Sequence, residues 1–312
     1  MEPKTELEQV KTVQNEHEAS HKADVLIEAM KWIREHRGKI TVVKLGGSLM
    51  EDENAMTHLI TDLVFMETVG MKPVVVHGGG PAISQAMTKA GVAPRFVQGR
   101  RYTDEATLGV VREVLAKQIS GKLVSDIEFF QGSAKALSDA YDSNVLYGQK
   151  TTIKDDSGEE VDLGWVGEVT RVDVEKILDC CNRGIIPIIP SYTLVDDGGR
   201  QGLNVNADVA ATQVAKELHA NKLIFVSEVN GVRTDPNDPE SMISSLTAEE
   251  ARKMLSSGAI VGGMIPKIQS CLKMIERGVE KVHIINGRLR HSILLEIFTS
   301  QGVGTEIVDK RP

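Results

Sequence analysis

Two glycine-rich turns, each following a β-branched apolar run, are the first candidates for chemistry in this sequence. The segment VVKLGGSLM puts Lys44 shortly before Gly46 and Gly47, and VVVHGGGP ends in three glycines that include Gly79 and Gly80. Such turns let backbone N–H groups face an anion, and the lysine adds a full positive charge. We therefore predict one anion-binding site built from both turns. The alternative for KLGGS, which matches neither common phosphate-binding glycine motif, is a tight turn with a surface lysine.

Three further segments carry charged or amide side chains suited to the same site. GRRYTD offers Arg101, whose planar guanidinium could hold a carboxylate, although a surface arginine is the alternative. GLNVNADVAA places Asn204 and Asp208 before an apolar helical run, where Asp208 could instead only cap the helix. GGMIPK places Lys267 at the start of an amphipathic helix, where a lysine opposes the helix dipole unless it is solvated or meets an anion.

The composition argues against several other classes of protein. The chain has 312 residues, 41% of them hydrophobic, which is enough for a packed core. A net charge of −8 and a pI near 5.6 argue against a nucleic acid partner, and no apolar run approaches the roughly 20 residues of a membrane helix. Residues 1–22 lack a signal peptide's apolar segment, and we interpret them as a disordered arm of a cytoplasmic protein. Cys180, Cys181 and Cys271 show no metal-ligand spacing and are expected to be reduced thiols.

The elements that must position these residues follow a repeated pattern of short β-branched runs, polar turns and helical segments. The expected strands cover residues 40–43, 73–76, 185–189, 222–226 and 281–285. Such alternation predicts an α/β fold with a parallel sheet covered by helices on both faces. Ligands of these sheets bind at the carboxyl ends of the strands, where the glycine turns lie. Residues 147–165 are polar around DDSGEE and predict an exposed β-ribbon.

Taken in order, VVKLGGSLM, VVVHGGGPAI, GRRYTD, VGEV, NVNADVAA and GGMIPKI resemble the amino acid kinase family. The resemblance covers about residues 23–312 and implies an open three-layer αβα sandwich with a mainly parallel central sheet. It implies an N-terminal lobe at 39–190 for an acyl-amino acid and dimer contact, and a C-terminal lobe at 191–312 for ATP. Within the family, the chain is similar to the members that use ATP with Mg²⁺ to phosphorylate the side-chain carboxylate of N-acetyl-L-glutamate in arginine biosynthesis.

The resemblance also implies roles for individual residues. Charge stabilisation on the transferring phosphoryl group is implied for two lysines and an aspartate that orients them, Lys44, Lys267 and Asp208. Substrate binding is implied for Gly79, Gly80, Arg101 and Asn204. Nucleotide binding is implied for Gly46, Gly47, Ser227 and Glu228, the last of which replaces the family's usual aspartate. The resemblance implies no metal-ligating residue.

The residue types agree with phosphoryl transfer to a carboxylate. A side-chain carboxylate with an ordinary pKa of about 4.3 is already ionised at neutral pH, so no general base is needed. The chemistry instead needs positioning and neutralisation of charge by lysines, backbone N–H groups and Mg²⁺. His77, beside the glycines, is therefore interpreted as structural.

Two departures from the family pattern leave other substrates open. Residues 136–146 read ALSDAYDSNVL where a glycine-rich loop is usual, and GRRYTD replaces the commoner GLRVTD. A kinase for carrier-bound aminoadipate is one alternative, and a nucleoside monophosphate or carbamate kinase is another. A non-catalytic amino-acid-binding regulatory domain is a third, although such a domain has no evident need for both Lys44 and Lys267.

Residues 23–38 predict a helix whose apolar residues cover more than one stripe, with Gly38 placed to end it. An ordinary helix lying on its own domain is the alternative. In arginine-inhibited members of the family, such a helix joins dimers into a hexameric ring. The resemblance therefore implies a hexamer, a trimer of dimers, inhibited by L-arginine. The implied effector contacts are His291, Glu296 and Gly304.

Overall fold

The computed structural model describes residues 6–154, 158–229, 231–235, 238, 241–260, 264–300 and 302–310. Parts of two predicted features lie outside these residues: the ribbon tip at 155–157 and the glycine pair at 262 and 263 in GGMIPK. Fourteen strands and ten α-helices are described.

The strands are β1 (Ile40–Leu45), β2 (Lys72–His77), β3 (Phe96–Val97), β4 (Arg100–Arg101), β5 (Ala134–Ala136), β6 (Leu146–Lys154), β7 (Glu160–Val172), β8 (Ile186–Pro190), β9 (Tyr192–Val195), β10 (Gly202–Val205), β11 (Lys222–Ser227), β12 (Ser245–Thr247), β13 (Lys281–Asn286) and β14 (Thr305–Val308). The helices are α1 (Glu6–His36), α2 (Glu53–Thr68), α3 (Gly80–Lys89), α4 (Glu105–Val111), α5 (Ser120–Phe129), α6 (Val174–Asn182), α7 (Ala207–Glu217), α8 (Ala248–Ser256), α9 (Met264–Glu276) and α10 (Ser292–Phe298). A π-helix, Arg112–Ile119, joins α4 to α5.

Eight strands form the central sheet, in the order β12-β14-β13-β11-β1-β2-β8-β5. Neighbouring strands are parallel except for β13 and β14. The five strands predicted from sequence correspond to β1, β2, β8, β11 and β13. The predicted α/β class with a mainly parallel sheet is therefore confirmed.

Side chains of the central strands alternate between two cores, one on each face of the sheet. Val42 and Val74 belong to a cluster that includes residues of α6, α7 and α9. Their neighbours Val43 and Val75 belong to a second cluster with residues of α2, α5 and α10. The three-layer αβα arrangement follows from this two-sided burial.

The predicted β-ribbon is part of a larger unit. β6 and β7 pair in antiparallel fashion, and with β9 and β10 they close into a four-stranded ring. Asn204 of β10 lies opposite Val166 of β7, so the ring supports a candidate site residue and is more than an exposed ribbon. Strands β9 and β10 come after residue 190, the predicted lobe boundary. They pair with β6 and β7, which come before it.

Helix α1 begins at Glu6, which differs from the disordered arm predicted for residues 1–22. Those residues include several Glu, Gln and Lys, which have high intrinsic helix propensity and can continue a helix toward the N-terminus. The C-terminal end is as predicted: α1 stops at His36, and Gly38 follows with a φ of 76°. Among the described helices, none has the length and apolar character to span a bilayer.

Candidate active site

The two glycine turns meet at the carboxyl ends of β1 and β2, which pair directly in the centre of the sheet. A Cβ added to Gly47 would lie 2.9 Å from the Gly80 nitrogen and 3.2 Å from the Gly79 Cα. The N–H of Gly78 also donates to the Leu45 carbonyl across 3.3 Å. The close approach of these backbones explains the need for glycine, and it makes the two turns one surface, as predicted.

Lys44 lies on the face of β1 that it shares with Val42, because alternate strand residues point the same way. That face is covered by α7 and α9, which carry Asp208 and Lys267 in their first turns. The Nζ of Lys44 lies 2.8 Å from the Oδ1 of Asp208. Lys44, Asp208 and Lys267 line one small cavity together with Ser227.

Asp208 is not the cap of its helix. The side chain of Asn206 fills that position and accepts from the N–H groups of Asp208 and Val209 at 2.9 and 3.1 Å. The carboxylate of Asp208 is therefore available to Lys44, which removes the capping alternative raised by the sequence.

Lys267 is half-buried and lies close to a second positive charge. Burial lowers its pKa, the neighbouring Lys44 lowers it further, and the carboxylates of Asp208 and Glu228 work in the opposite direction. Two ammonium groups held together without full solvation are stabilised by an anion placed between them. The cavity is thus electrostatically suited to a phosphoryl group.

Arg101 is buried, with 8% of its surface exposed. Its Nη2 donates to the Gly80 carbonyl at 3.0 Å and to the Ser84 hydroxyl at 2.7 Å, and its Nη1 contacts the Met87 Sδ at 3.1 Å. The guanidinium also lies over the Phe96 ring, 4.8 Å from its centroid. Burial lowers the pKa of Arg101. Within the described part of the chain no carboxylate forms an ion pair with it, so a substrate carboxylate could take that place.

A cavity of about 410 Å³ connects these groups. Its lining includes the predicted residues Lys44, Gly47, Gly79, Gly80, Arg101 and Asn204. The Nδ2 of Asn204 donates to the Thr103 hydroxyl at 3.1 Å, which orients its amide. The structure thus brings together every residue predicted to bind substrate.

Of the predicted nucleotide-binding residues, Gly47 lines the cavity just described, whereas Gly46, Ser227 and Glu228 lie toward β11. Gly46 follows β1, and Ser227 ends the neighbouring β11. Glu228, the departure from the family pattern, forms an ion pair with Arg288 at 3.2 Å. The carboxylate of Glu228 therefore already has a positively charged partner, Arg288, within the chain.

The three predicted effector residues divide between two networks. Glu296 accepts from the N–H groups of Val303 and Gly304 at 2.8 and 2.9 Å and contacts His283 at 2.6 Å. Burial favours a raised pKa for Glu296, but these hydrogen bonds outweigh it and the pKa is lowered. The structure therefore joins Glu296 to Gly304.

His291 belongs to the second network. Its Nδ1 lies 2.7 Å from the Oδ1 of Asp62, a fully buried residue of α2. Burial raises the pKa of Asp62, while the bond to His291 opposes that change. The structure does not place His291 in hydrogen-bonding contact with Glu296 or Gly304.

Comparisons with known proteins agree with this geometry. The sequence profile described as "Amino acid kinase family" matches residues 39–286. The chain belongs to the amino acid kinase family. Curated relatives are acetylglutamate kinases: that of Methanosphaera stadtmanae is 44% identical over 91% of this chain and 96% of its own, and that of Methanocaldococcus jannaschii is 45% identical over 93% and 97%.

Solved structures support the fold alone, because their identities to this chain are low. N-acetylglutamate synthase from Neisseria gonorrhoeae, complexed with coenzyme A and L-arginine, matches with a TM-score of 0.74 at 24% identity. The match covers 92% of this chain and only 65% of the synthase chain. Giardia carbamate kinase matches with a TM-score of 0.60 at 14% identity, over 88% of this chain and 99% of its own.

Proposed function

We propose that this chain transfers the γ-phosphoryl group of ATP to the side-chain carboxylate of N-acetyl-L-glutamate, forming an acyl phosphate in arginine biosynthesis in the cytoplasm. The observation that carries the proposal is the cluster of Lys44, Asp208 and Lys267 beside the two glycine turns. The curated names of relatives at 44% and 45% identity support the same substrate.

The chemistry is electrostatic. The acceptor carboxylate is ionised at neutral pH, so the barrier comes from bringing an anion to a polyanion. Lys44 and Lys267 neutralise charge that develops on the phosphoryl oxygens, and Asp208 holds Lys44 at 2.8 Å. Backbone N–H groups of the glycine turns add donors that need no rearrangement.

Arg101 is proposed to hold the second carboxylate of the substrate. Three of the five guanidinium N–H groups are directed to Gly80, Ser84 and Met87, and the other two are proposed to donate to the substrate carboxylate. These contacts fix the plane of the guanidinium before the substrate arrives. Asn204, oriented by Thr103, supports the neighbouring groups of the acyl-amino acid.

Mg²⁺ is proposed to enter as the MgATP complex. Among the described residues, no group of three or more His, Cys, Asp or Glu side chains is arranged to hold a metal ion. Mg²⁺ commonly binds through substrate phosphates with few protein ligands, and this arrangement suits the site.

We also propose a hexamer, a trimer of dimers built through α1 and inhibited by L-arginine. Support comes from exposed apolar side chains on α1, where Val25, Leu26 and Ile27 are 51%, 68% and 65% exposed. The Neisseria gonorrhoeae synthase, whose structure contains L-arginine, gives further support at the level of a shared fold. Residues 39–190 and 191–312 are proposed as the acyl-amino acid lobe and the ATP lobe.

The experiment that tests the substrate is an ADP-release assay with purified protein and MgATP. The acceptors are N-acetyl-L-glutamate, aminoadipate derivatives and UMP. The proposal requires turnover with N-acetyl-L-glutamate well above that with the other two. Preferential turnover with an aminoadipate derivative or with UMP would overturn it.

A further inference from the structure

His77, the last residue of β2, stands directly before the glycines Gly78, Gly79 and Gly80. It is fully buried, with 0% of its surface exposed. Phosphoryl transfer to an ionised carboxylate needs no imidazole as a base. A buried imidazole does need hydrogen-bond partners for its two ring nitrogens, and those partners indicate its role.

The two ring nitrogens of His77 have different partners. Nδ1 lies 3.0 Å from the carbonyl oxygen of Gly78, and Nε2 lies 2.9 Å from the hydroxyl of Ser120. A carbonyl can only accept, so Nδ1 carries the hydrogen. Burial lowers the pKa of His77 to about 4, so the ring is neutral at neutral pH and its Nε2 is an acceptor. The single hydroxyl hydrogen of Ser120 is shared between this Nε2 and the Leu115 carbonyl, which lies 3.0 Å from the Ser120 oxygen.

The bond to Gly78 fixes the orientation of the peptide unit between Gly78 and Gly79. In a planar trans peptide the C=O and N–H groups point in opposite directions, and none of the described peptide bonds is cis. With its carbonyl turned toward the buried ring, this unit directs the N–H of Gly79 away from His77. The cavity lined by Lys44, Gly79 and Gly80 opens beside this turn.

Two further contacts hold the turn in place. The N–H of Ser191 donates to the His77 carbonyl at 2.9 Å, which anchors the backbone at the base of the turn. A Cβ on Gly79 would lie 2.6 Å from the side chains of both Leu115 and Ile119, so the π-helix packs tightly against this residue. Gly79 is also the N-cap of α3, and the first N–H groups of a helix have no acceptor within it.

We propose that His77 is a positioning residue for phosphoryl transfer. Its Nδ1–H holds the Gly78 carbonyl so that the N–H of Gly79 donates a hydrogen bond to the transferring phosphoryl group. The proposal rests on the kinase function proposed above. If His77 had only a structural role, its contact with Ser120 would simply connect β2 to α5.

Paired variants separate these two roles. An asparagine amide nitrogen falls near the Nδ1 position of histidine, and a glutamine amide nitrogen near Nε2. His77→Asn can therefore keep the bond to Gly78, whereas His77→Gln can keep only the contact with Ser120. Ser120→Ala is the matched control, because it removes the tie to the helix and leaves the bond to Gly78.

We expect the kcat of His77→Gln to fall by about 10²-fold, the usual effect of losing one preorganised donor. His77→Asn and Ser120→Ala are expected to stay within about tenfold of the wild type, with little change in KM for any of the three variants. Affinity for ADP with aluminium fluoride, a mimic of the transferring phosphoryl group, should fall in His77→Gln while affinity for ADP alone is retained. Thermal unfolding of each variant monitors folding.

Equal kcat and equal affinity for the fluoride complex in the Asn and Gln variants would overturn the proposal. A fall in kcat that is explained entirely by the loss of thermal stability across the three variants would also overturn the proposal. If the wild type fails to phosphorylate N-acetyl-L-glutamate, the proposed function fails, but the binding comparison with ADP and aluminium fluoride still decides the role of His77.

Discussion

At the scale of single residues, the central feature of the site is that Asp208 forms an ion pair with one of two neighbouring lysines. It binds Lys44 at 2.8 Å, while Lys267 keeps a lowered pKa because of burial and the nearby Lys44. We propose that an arriving phosphate gives Lys267 a direct partner and Lys44 a second one beside Asp208. In the proposed reaction the lysines would therefore contribute most when charge on the phosphoryl oxygens is greatest, which is in the transition state.

Replacing either lysine by methionine tests this role. Lys44→Met and Lys267→Met are each expected to lower kcat by about 10²- to 10³-fold with a modest change in KM, because the lost interaction acts mainly in the transition state. Steady-state kinetics with both substrates varied gives the two constants. Wild-type kinetics in either variant would remove that lysine from the mechanism.

Arg101→Lys is expected to act on binding instead. Lysine cannot reproduce the planar donors that contact Gly80 and Ser84, so the KM for N-acetyl-L-glutamate should rise by about tenfold or more while the KM for ATP changes little. A KM for the acyl-amino acid equal to that of the wild type would place the carboxylate contact elsewhere.

Some of these residues could be recognised from the sequence, and others could not. Lys44 and Lys267 stood out because a lysine beside a glycine turn or at a helix N-terminus needs a reason, such as a bound anion. Asp208 was less distinctive, because an aspartate is a common helix cap. Thr103 and Ser120 did not stand out, because their partners Asn204 and His77 are 101 and 43 residues away in the chain. Nothing local in the sequence signals such long-range hydrogen bonds.

At the scale of elements, strand positions could be predicted because β-branched runs between polar turns are a local signal. The ring of β6, β7, β9 and β10 could not be predicted, because it depends on pairing between β7 and β10, and α6, β8 and β9 lie between these two strands in the chain. The π-helix between α4 and α5 was not predicted from the sequence either, although its residues Leu115 and Ile119 pack against Gly79.

Helix α1 carries the prediction that belongs to this scale. A chain that begins at Lys39 lacks the exposed apolar side chains of Val25, Leu26, Ile27 and Met30. We expect it to remain an active dimer that no longer forms a hexamer or responds to L-arginine, because the inter-dimer contact is lost. Light scattering and assays with and without L-arginine measure both properties for the truncated and full-length chains.

Two results would contradict this role of α1. One is a full-length protein that is a plain dimer indifferent to L-arginine. The other is a truncated form that stays hexameric and inhibited. Either result would indicate that α1 is an ordinary helix that packs on its own domain.

At the scale of the whole molecule, buried histidines link stability to pH. Burial lowers the pKa of His36 and of His77 from 6.5 to about 4. The unfolded chain binds these protons near pH 6.5, whereas the folded chain binds them only near pH 4. Their contribution is therefore complete above pH 6.5 and is lost as the pH falls toward 4.

The variant His77→Asn isolates one of these contributions. His77 alone can account for about 3 kcal/mol of stability between those pH values. Asp62, whose raised pKa acts in the opposite direction, is unchanged in the variant and cancels from the comparison. Denaturant unfolding at pH 7 and pH 4.5 should show a smaller loss of stability for His77→Asn than for the wild type. An equal loss in both proteins would show that His77 does not titrate as burial requires.

The most direct test of the central claim is to trap the product. Full-length protein is incubated with MgATP and N-acetyl-L-glutamate in the presence of hydroxylamine, which converts an acyl phosphate into a hydroxamate. We predict hydroxamate formed in equal amount to ADP by the wild type, and a rate lower by about 10²-fold or more for Lys267→Met. ADP released without hydroxamate, or hydroxamate formed at the wild-type rate by Lys267→Met, would contradict the proposal that Lys267 assists transfer of the phosphoryl group from ATP to the substrate carboxylate.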